Sequence, residues 1–139
     1  MYYEYLGRGI NDTTKLRYRI GLNFYMSCTS GVLESSYNLS IFNAVSPFGL
    51  VMDAPVTVGT DVNVQNCVLQ SCYPCISLIP EICYRIRNYE TIVELAPSSG
   101  GYIIAKQRCC RVFGISNLSS PSDAVGETYS ISIPGFNAA

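Results

Sequence analysis

Cysteine is the residue type best suited to chemistry in this 139-residue sequence, which contains seven of them. Three lie in the segment "CVLQSCYPC", and its last two, Cys72 and Cys75, have the spacing of a redox pair or of half a zinc site. A redox pair needs a helix N-terminus in a strand-helix-strand unit, and a zinc ribbon needs a second, similar pair. Neither context is visible, so the sequence predicts a disulfide-bonded loop that includes Cys67.

Other catalytic groups are scarce. The sequence has no histidine, which excludes histidine-dependent triads and the commonest general base. The ten acidic residues are scattered, and no glycine loop of a phosphate-binding pattern occurs. We therefore predict no catalytic residue, no cofactor, no metal site and no enzymatic activity.

Alternating residues indicate the elements that must position these side chains. Over residues 15–28 apolar and polar residues alternate in the manner of a half-buried strand, with Cys28 on the apolar side. Similar strands are predicted at 2–6, 37–42, 49–58 with an interruption at Pro55, 82–95, 102–110 and 128–133. Within 82–95 the apolar parity changes, which indicates either a β-bulge near Asn88 or Tyr89, or two short strands.

Many short strands joined by glycine, proline and serine turns predict an all-β fold. We expect an antiparallel, Ig-like β-sandwich of about seven to eight strands, stapled by disulfides, as a single extracellular domain over residues 1–139. No sustained helical periodicity and no strand-helix-strand alternation compete with that prediction.

Strand parity also sorts the remaining cysteines. In "KQRCCR", Cys109 shares the parity of Ile103 and is predicted to face the core, whereas Cys110 is predicted to face outward. Cys83 has the parity of its neighbouring arginines and is also predicted to face outward. The simplest assignment is therefore Cys28 with Cys109 and Cys83 with Cys110. A strained bond between the adjacent cysteines is an alternative, and the odd count leaves one cysteine free or paired with another chain.

Three pairs of cations each lie two residues apart on one strand face. They form either a basic stripe or a solvated outer face, and the scattered acids favour the solvated face. The pairs are Arg17 with Arg19, Arg85 with Arg87, and Lys106 with Arg108.

The composition indicates the cellular compartment and excludes some classes of partner. Charged residues make up 14% of the sequence, against roughly 25% in an ordinary soluble domain. A net charge of −1 argues against nucleic-acid binding, and no apolar run is long enough for a membrane span. Residues 1–30 lack the apolar core of a signal peptide, but the cysteine content predicts an oxidising, extracellular compartment.

Several segments together resemble a known family. In order they are "MYYEYLG", "YRIGLNFYMSC", "ICYRI", "ETIVELAPSSGGYIIAKQRCCRVFGISNL" and "ETYSISIPG". They resemble the N-terminal domain of large secreted surface proteins of Bacteroidota, known as gliding-motility-associated C-terminal-domain proteins. The double cysteine followed by arginine is the most specific feature, whereas Met26-Ser27 and Val112 depart from the family pattern.

The resemblance implies export to the cell surface and a non-enzymatic part in adhesion, motility or extracellular structure. Such proteins usually continue into a long chain, so we expect either an excerpt or a short stand-alone member. The leading hypothesis is a structural or adhesive module that contacts other protein subunits and self-assembles, for example into a filament. The alternatives are a carbohydrate-binding module that presents tyrosines to glycans, and a cysteine-based enzyme using Cys72 and Cys75.

Overall fold

The described residues form seven antiparallel strands in one curled sheet. The structure, a computed structural model, describes residues 1–28, 34–65, 74–75, 77–78, 83–109, 111, 113–118 and 121–135. The order of strands across the sheet is β1-β2-β5-β4-β3-β6-β7. The strands are β1 (Tyr2–Arg8), β2 (Leu16–Ser27), β3 (Ser36–Asn43), β4 (Leu50–Gln65), β5 (Cys83–Leu95), β6 (Tyr102–Arg108) and β7 (Glu127–Ile133), with a short 3₁₀ turn at Ser122–Ala124.

The alternation of apolar and polar residues along β2 explains which of its side chains line the inner face of the sheet. Its even-numbered residues from Leu16 to Phe24 are buried, and Ile20 is fully enclosed. On β5, residues opposite this row share its face, and they include the buried Tyr89 and Val93. The core is therefore the concave face of one sheet, filled from strands that lie far apart in the sheet order.

Aromatic contacts show how far the sheet curls. Phe24 of β2 lies 6.0 Å, centroid to centroid, from Tyr129 of β7, near the opposite edge of the sheet. The Phe24 ring also packs at 5.3 Å on Tyr37 of β3 and at 5.8 Å on Tyr89. Side chains from β2 and β7, which lie near opposite edges of the sheet, thus meet across the interior of a half-barrel.

The all-β, antiparallel prediction is confirmed, whereas a division into two packed sheets is not. Each of the seven described strands belongs to the same sheet. The prediction of a break at Pro55 is wrong, because β4 continues through it and pairs Pro55 with Asn38 of β3. Pairing of β4 with β5 begins only at Thr57, so Pro55 lies where β4 has one partner and its missing N–H is tolerated.

The irregularity predicted in 82–95 lies on another strand. Strand β5 pairs with β2 without interruption from Tyr84 to Leu95, so it has neither a bulge at Asn88 or Tyr89 nor a break there. The register shift is on β4, between Val58 and Asp61. The apparent parity change arose because Tyr84 and Ile86 are apolar residues on the convex face.

A carboxylate on β5 anchors the turn between β1 and β2. Glu94 Oε1 accepts hydrogen bonds from the backbone N–H groups of Ile10, at 2.7 Å, and Asn11, at 3.3 Å. The bond from Ile10 is the main cause that lowers the pKa of Glu94 below its ordinary value of 4.5. The charged form is favoured in the folded chain, because it accepts these bonds better than the neutral acid.

Acid is therefore expected to remove one contribution to stability. A lowered folded pKa means that the contribution is complete above the ordinary value of 4.5 and is lost as the pH falls through the lower folded value. Urea unfolding from about pH 7 down to about pH 2 measures it. Glu94→Gln should be less stable than the unmodified protein at neutral pH, and the difference should vanish in acid. A difference that stays constant across this range would contradict the assignment.

Candidate interaction surfaces

An apolar patch without charge occupies one half of the convex face. Ile86 lies opposite Tyr25 of β2 and Val62 of β4, and in the next row Tyr84 lies opposite Val64. The Tyr25 side chain is 67% exposed and Val62 is 50% exposed, and the Tyr25 and Tyr84 rings are 6.3 Å apart. We call these five residues the uncharged patch. It spans three adjacent strands and contains no ionisable side chain other than the two phenols.

The other half of the convex face is charged and forms its own pairs. Arg19 makes an ion pair with Glu4 of β1. Tyr2 donates a hydrogen bond to Glu90 at 2.5 Å, and this bond, with burial as the larger cause, raises the pKa of Tyr2. Asn88 donates to the Tyr2 oxygen at 3.1 Å and to Asn23 at 2.8 Å. These groups form hydrogen bonds and ion pairs with one another. This half therefore gains less than the uncharged patch from burial against a partner.

A tyrosine-lined cleft lies where the two ends of the sheet approach each other. It has a volume of about 250 Å³. Tyr5 is 52% exposed, and its ring lies 5.5 Å from that of Tyr18. The residues that line it come from β1, β2 and the end of β7: Tyr3, Tyr5, Tyr18, Ile133, Pro134 and Gly135. Since β1 and β7 end the sheet order, their outer edges are positions where an added strand could pair.

A further apolar surface lies at the turn between β3 and β4. Phe48 is 70% exposed, and Val45, Leu50 and Val51 are exposed beside it. A cluster of exposed large apolar side chains on a hairpin end is a common mark of a contact region. The turn is short and separate from the uncharged patch.

Two of the three cation pairs lie on the concave face, so the prediction of a solvated outer face is wrong for them. Arg85 lies opposite Met26 and Arg87 lies opposite the buried Phe24. Lys106 and Arg108 share the parity of the buried Ile104. Arg17 and Arg19 do lie on the convex face, opposite Glu94 and Ile92 respectively.

The predicted cysteine pairing is also wrong. Cys28 bonds to Cys83, with a Cα–Cα distance of 5.5 Å. Continuing the β2–β5 register by one step beyond Ser27 and Tyr84 places the two cysteines directly opposite each other. The prediction of different faces for Cys28 and Cys83 fails because Arg85 and Arg87, which share the parity of Cys83, lie on the concave face. With both partners engaged, neither Cys28–Cys109 nor Cys83–Cys110 can form.

The other cysteines differ in state. Cys109 is exposed rather than core-facing, and it is disulfide-bonded to a partner outside the described residues. Cys75, predicted to lie in a bridged loop, carries a free, exposed thiol. The prediction of a bridged loop is therefore wrong for Cys75. Cys67, Cys72 and Cys110 lie outside the described residues, so the bridging predicted for them stays a prediction.

Within the described residues, no three His, Cys, Asp or Glu side chains converge as a metal site, and no helix has the length and apolar character to cross a membrane. Models of protein families, curated proteins and solved structures give no match to the chain.

Sequence reasoning did not identify the uncharged patch. Its signal was present in the odd residues of β2, where Asn23, Tyr25 and Ser27 follow the charged Arg17 and Arg19. The register is what brings this neutral end of β2 beside Tyr84 and Ile86, and no single segment contains that information.

Proposed function

We propose that this chain is a non-enzymatic, extracellular structural or adhesive module of a cell-surface protein, which acts through protein-protein contacts and self-assembles. The uncharged patch is the observation that carries the proposal. Contiguous exposed apolar surface of this kind usually marks an interface. The Cys28–Cys83 disulfide supports the extracellular setting, since such bonds persist in oxidising compartments.

A second copy of the chain is the partner that the charge distribution favours. An isologous contact brings the same patch together from two subunits, so an ionic charge close to the two-fold axis would face its own copy. The uncharged patch contains none, and its tyrosines are residues enriched at the centres of interfaces. The outer edges of β1 and β7, which pair with no other described strand, offer a second contact by strand addition that would extend pairs into a filament.

Val62→Glu tests the role of the patch. The substitution places a carboxylate within the uncharged patch, where a neighbour would bury it. Sedimentation equilibrium should show concentration-dependent association of the unmodified protein, weakened at least about tenfold in the variant, which corresponds to about 1.4 kcal/mol. Ile92→Glu is the matched control, because Ile92 is 47% exposed on the same face but lies among the charged residues. It should associate like the unmodified protein.

Two results would decide against self-assembly. One is a monodisperse monomer at high concentration with no filaments in electron micrographs. The other is equal weakening by Val62→Glu and Ile92→Glu, which would place the contact elsewhere.

A carbohydrate-binding module is the second candidate, favoured by the cleft that gathers Tyr3, Tyr5 and Tyr18. Aromatic rings with polar hydroxyls suit the mixed apolar and polar faces of sugars. Binding to a broad glycan array that survives Val62→Glu would favour this candidate over self-assembly.

A further inference from the structure

Strand β7 is an open edge of the described sheet. Among the strands that the structure describes, it pairs only with β6, along its whole length from Glu127 to Ile133. Its outer edge therefore presents backbone N–H and C=O groups to which another strand can bond. Thr128, Tyr129 and Ser130 in its middle are exposed, which agrees with an open edge.

The other edge strand, β1, approaches β7 at the tyrosine-lined cleft. Tyr3 and Tyr5 of β1 lie there beside Ile133, at the end of β7. The two strands run in the same direction, because six antiparallel pairings separate them in the sheet order. β1 begins at Tyr2, so the middle of β7 at Ser130, which precedes Ile133, lies beyond the start of β1. Within the described strands, the middle of β7 is therefore accessible to a neighbour.

The two edges differ in how well they are protected against an added strand. Proteins protect edge strands with charged side chains, prolines and bulges. On β1, Glu4 and Arg8 are charged, and the register shifts before Gly7, whose φ is +104°. On β7, residues 128–133 include no charged residue and no proline, and the pairing with β6 has no register shift. An edge without such protection is a predicted site of strand pairing.

We propose that β7 pairs antiparallel with β7 of a second copy, about a two-fold axis at Ser130, and so joins the two sheets into one. This contact rests on the proposed function of self-assembly and identifies the edge and the partner that provide strand addition. It is separate from the uncharged patch, which lies on β2, β4 and β5. Each copy then carries two different two-fold contacts, and alternating them joins copies into a chain longer than a pair.

The register centred on Ser130 makes β7 complementary to itself. All seven residues of the strand are then paired, with Thr128 opposite Ser132 and Tyr129 opposite Ile131. Residues directly opposite each other share a face of the sheet, so the polar pair continues the convex face. Ile131 packs against the core on the concave face, where an aromatic residue opposite a β-branched one is a favourable pair. An edge that received a different strand would not need this match.

The charges of β7 also allow it to pair with its own copy. Glu127 is its one charged residue, and in this register it lies opposite Ile133 of the other copy. The two copies of Glu127 are then about 20 Å apart along the strands, well beyond the distance over which salt screens exposed charges. Glu127 also lies 4.0 Å from Arg108 of its own chain. Self-pairing therefore brings no like charges together.

Cysteine cross-linking tests the contact and its register. Ser130→Cys, made in the Cys75→Ser background to remove the exposed native thiol, places two cysteines opposite each other across the axis. Ser132→Cys is the matched control on the same face of the same strand, but its two copies lie about 13 Å apart along the strands. After mild oxidation, Ser130→Cys should give at least about ten times as much reducible dimer as Ser132→Cys on a non-reducing gel, because a disulfide needs closely spaced Cα atoms.

Two further measurements check the same contact. Thr128→Cys mixed with a size-tagged Ser132→Cys should give a mixed dimer, since the register places these positions opposite each other, and neither should cross-link to itself. Hydrogen–deuterium exchange needs no substitution. In the unmodified protein, the amides of β7 should exchange more slowly at high than at low protein concentration, while those of β1 stay unchanged.

Equal cross-linking of Ser130→Cys and Ser132→Cys would mean random collision and would overturn the proposal, as would exchange of β7 that does not depend on concentration. If the edge receives a strand of a different protein, purified Ser130→Cys will not cross-link, and this result too would overturn it. Adding Val62→Glu to Ser130→Cys separates the two contacts. Cross-linking that persists supports the β7 contact whatever the patch does. Association that Val62→Glu weakens, without cross-linking of Ser130→Cys, would leave the proposed function in place and overturn the β7 contact.

Discussion

Removal of the Cys28–Cys83 disulfide is expected to lower the free energy of unfolding by about 4 kcal/mol, since the bond closes a loop between residues 55 apart in sequence. The reason is loop-closure entropy: the unfolded chain regains conformations that the bond had removed. Serine at both positions leaves two small polar side chains at the end of β2 and β5. The pairing of these strands should survive, because twelve further residue pairs hold their register from Leu16 to Ser27.

The measurement is urea unfolding of Cys28→Ser/Cys83→Ser, made in a Cys75→Ser background. That background removes the exposed free thiol, so it cannot exchange with the remaining disulfides, and Cys75→Ser alone is the control. Cys75→Ser should unfold at nearly the same urea concentration as the unmodified protein. A loss below about 1 kcal/mol in the triple variant would mean that the unfolded state is already compact around these residues.

The strands themselves were largely predictable, because the alternation of apolar residues is a local property. The prediction of a strand at 15–28 differs from β2 by one residue at each end, and each of the other predicted strands has a counterpart. Pro55 was the exception. A proline interrupts a strand only where both edges are paired, and the sequence does not say where pairing of β4 with β5 begins.

Which face of a strand points inward was harder to predict. On β6, Ile103 and Ile104 are both apolar, so parity alone could not choose between them, and the presence of Lys106 and Arg108 suggested the wrong face. In the structure Ile104 is buried because it lies opposite the buried Ile41 of β3. Lys106 and Arg108 are tolerated on the concave face because the Lys106 ammonium lies over the Tyr37 ring and the Arg108 guanidinium lies over the Phe24 ring.

The prediction of the cysteine pairing depended on the same assignments of residues to faces, and it is wrong for the same reason. Once Arg85 and Arg87 are placed on the concave face, Cys83 falls on that face with them. Cys28 lies on the same face, because it shares the parity of Phe24 and Met26. The pair then follows from the β2–β5 register alone.

Replacement of Tyr89 by alanine is expected to cost about 3–5 kcal/mol, the usual range for truncating a large buried aromatic side chain. Tyr89 is fully enclosed, and its ring packs at 4.9 Å on Tyr37 and at 5.8 Å on Phe24. Its hydroxyl donates a hydrogen bond to the backbone carbonyl of Glu34 at 2.5 Å, which ties β5 to the residues before β3. The variant loses the packing and this bond together.

Tyr89→Phe separates the contribution of ring packing from that of the hydrogen bond, because it keeps the ring and removes only the hydroxyl. Its cost should be about 1 kcal/mol, so most of the loss in Tyr89→Ala belongs to the cavity beside Phe24 and Tyr37. Tyr25→Ala is the matched control on the convex face, where the side chain is 67% exposed, and its effect should stay below about 1 kcal/mol. Urea unfolding measures all three variants. Equal losses in Tyr89→Ala and Tyr25→Ala would contradict the curled sheet, because a flatter sheet would leave Tyr89 as accessible as Tyr25.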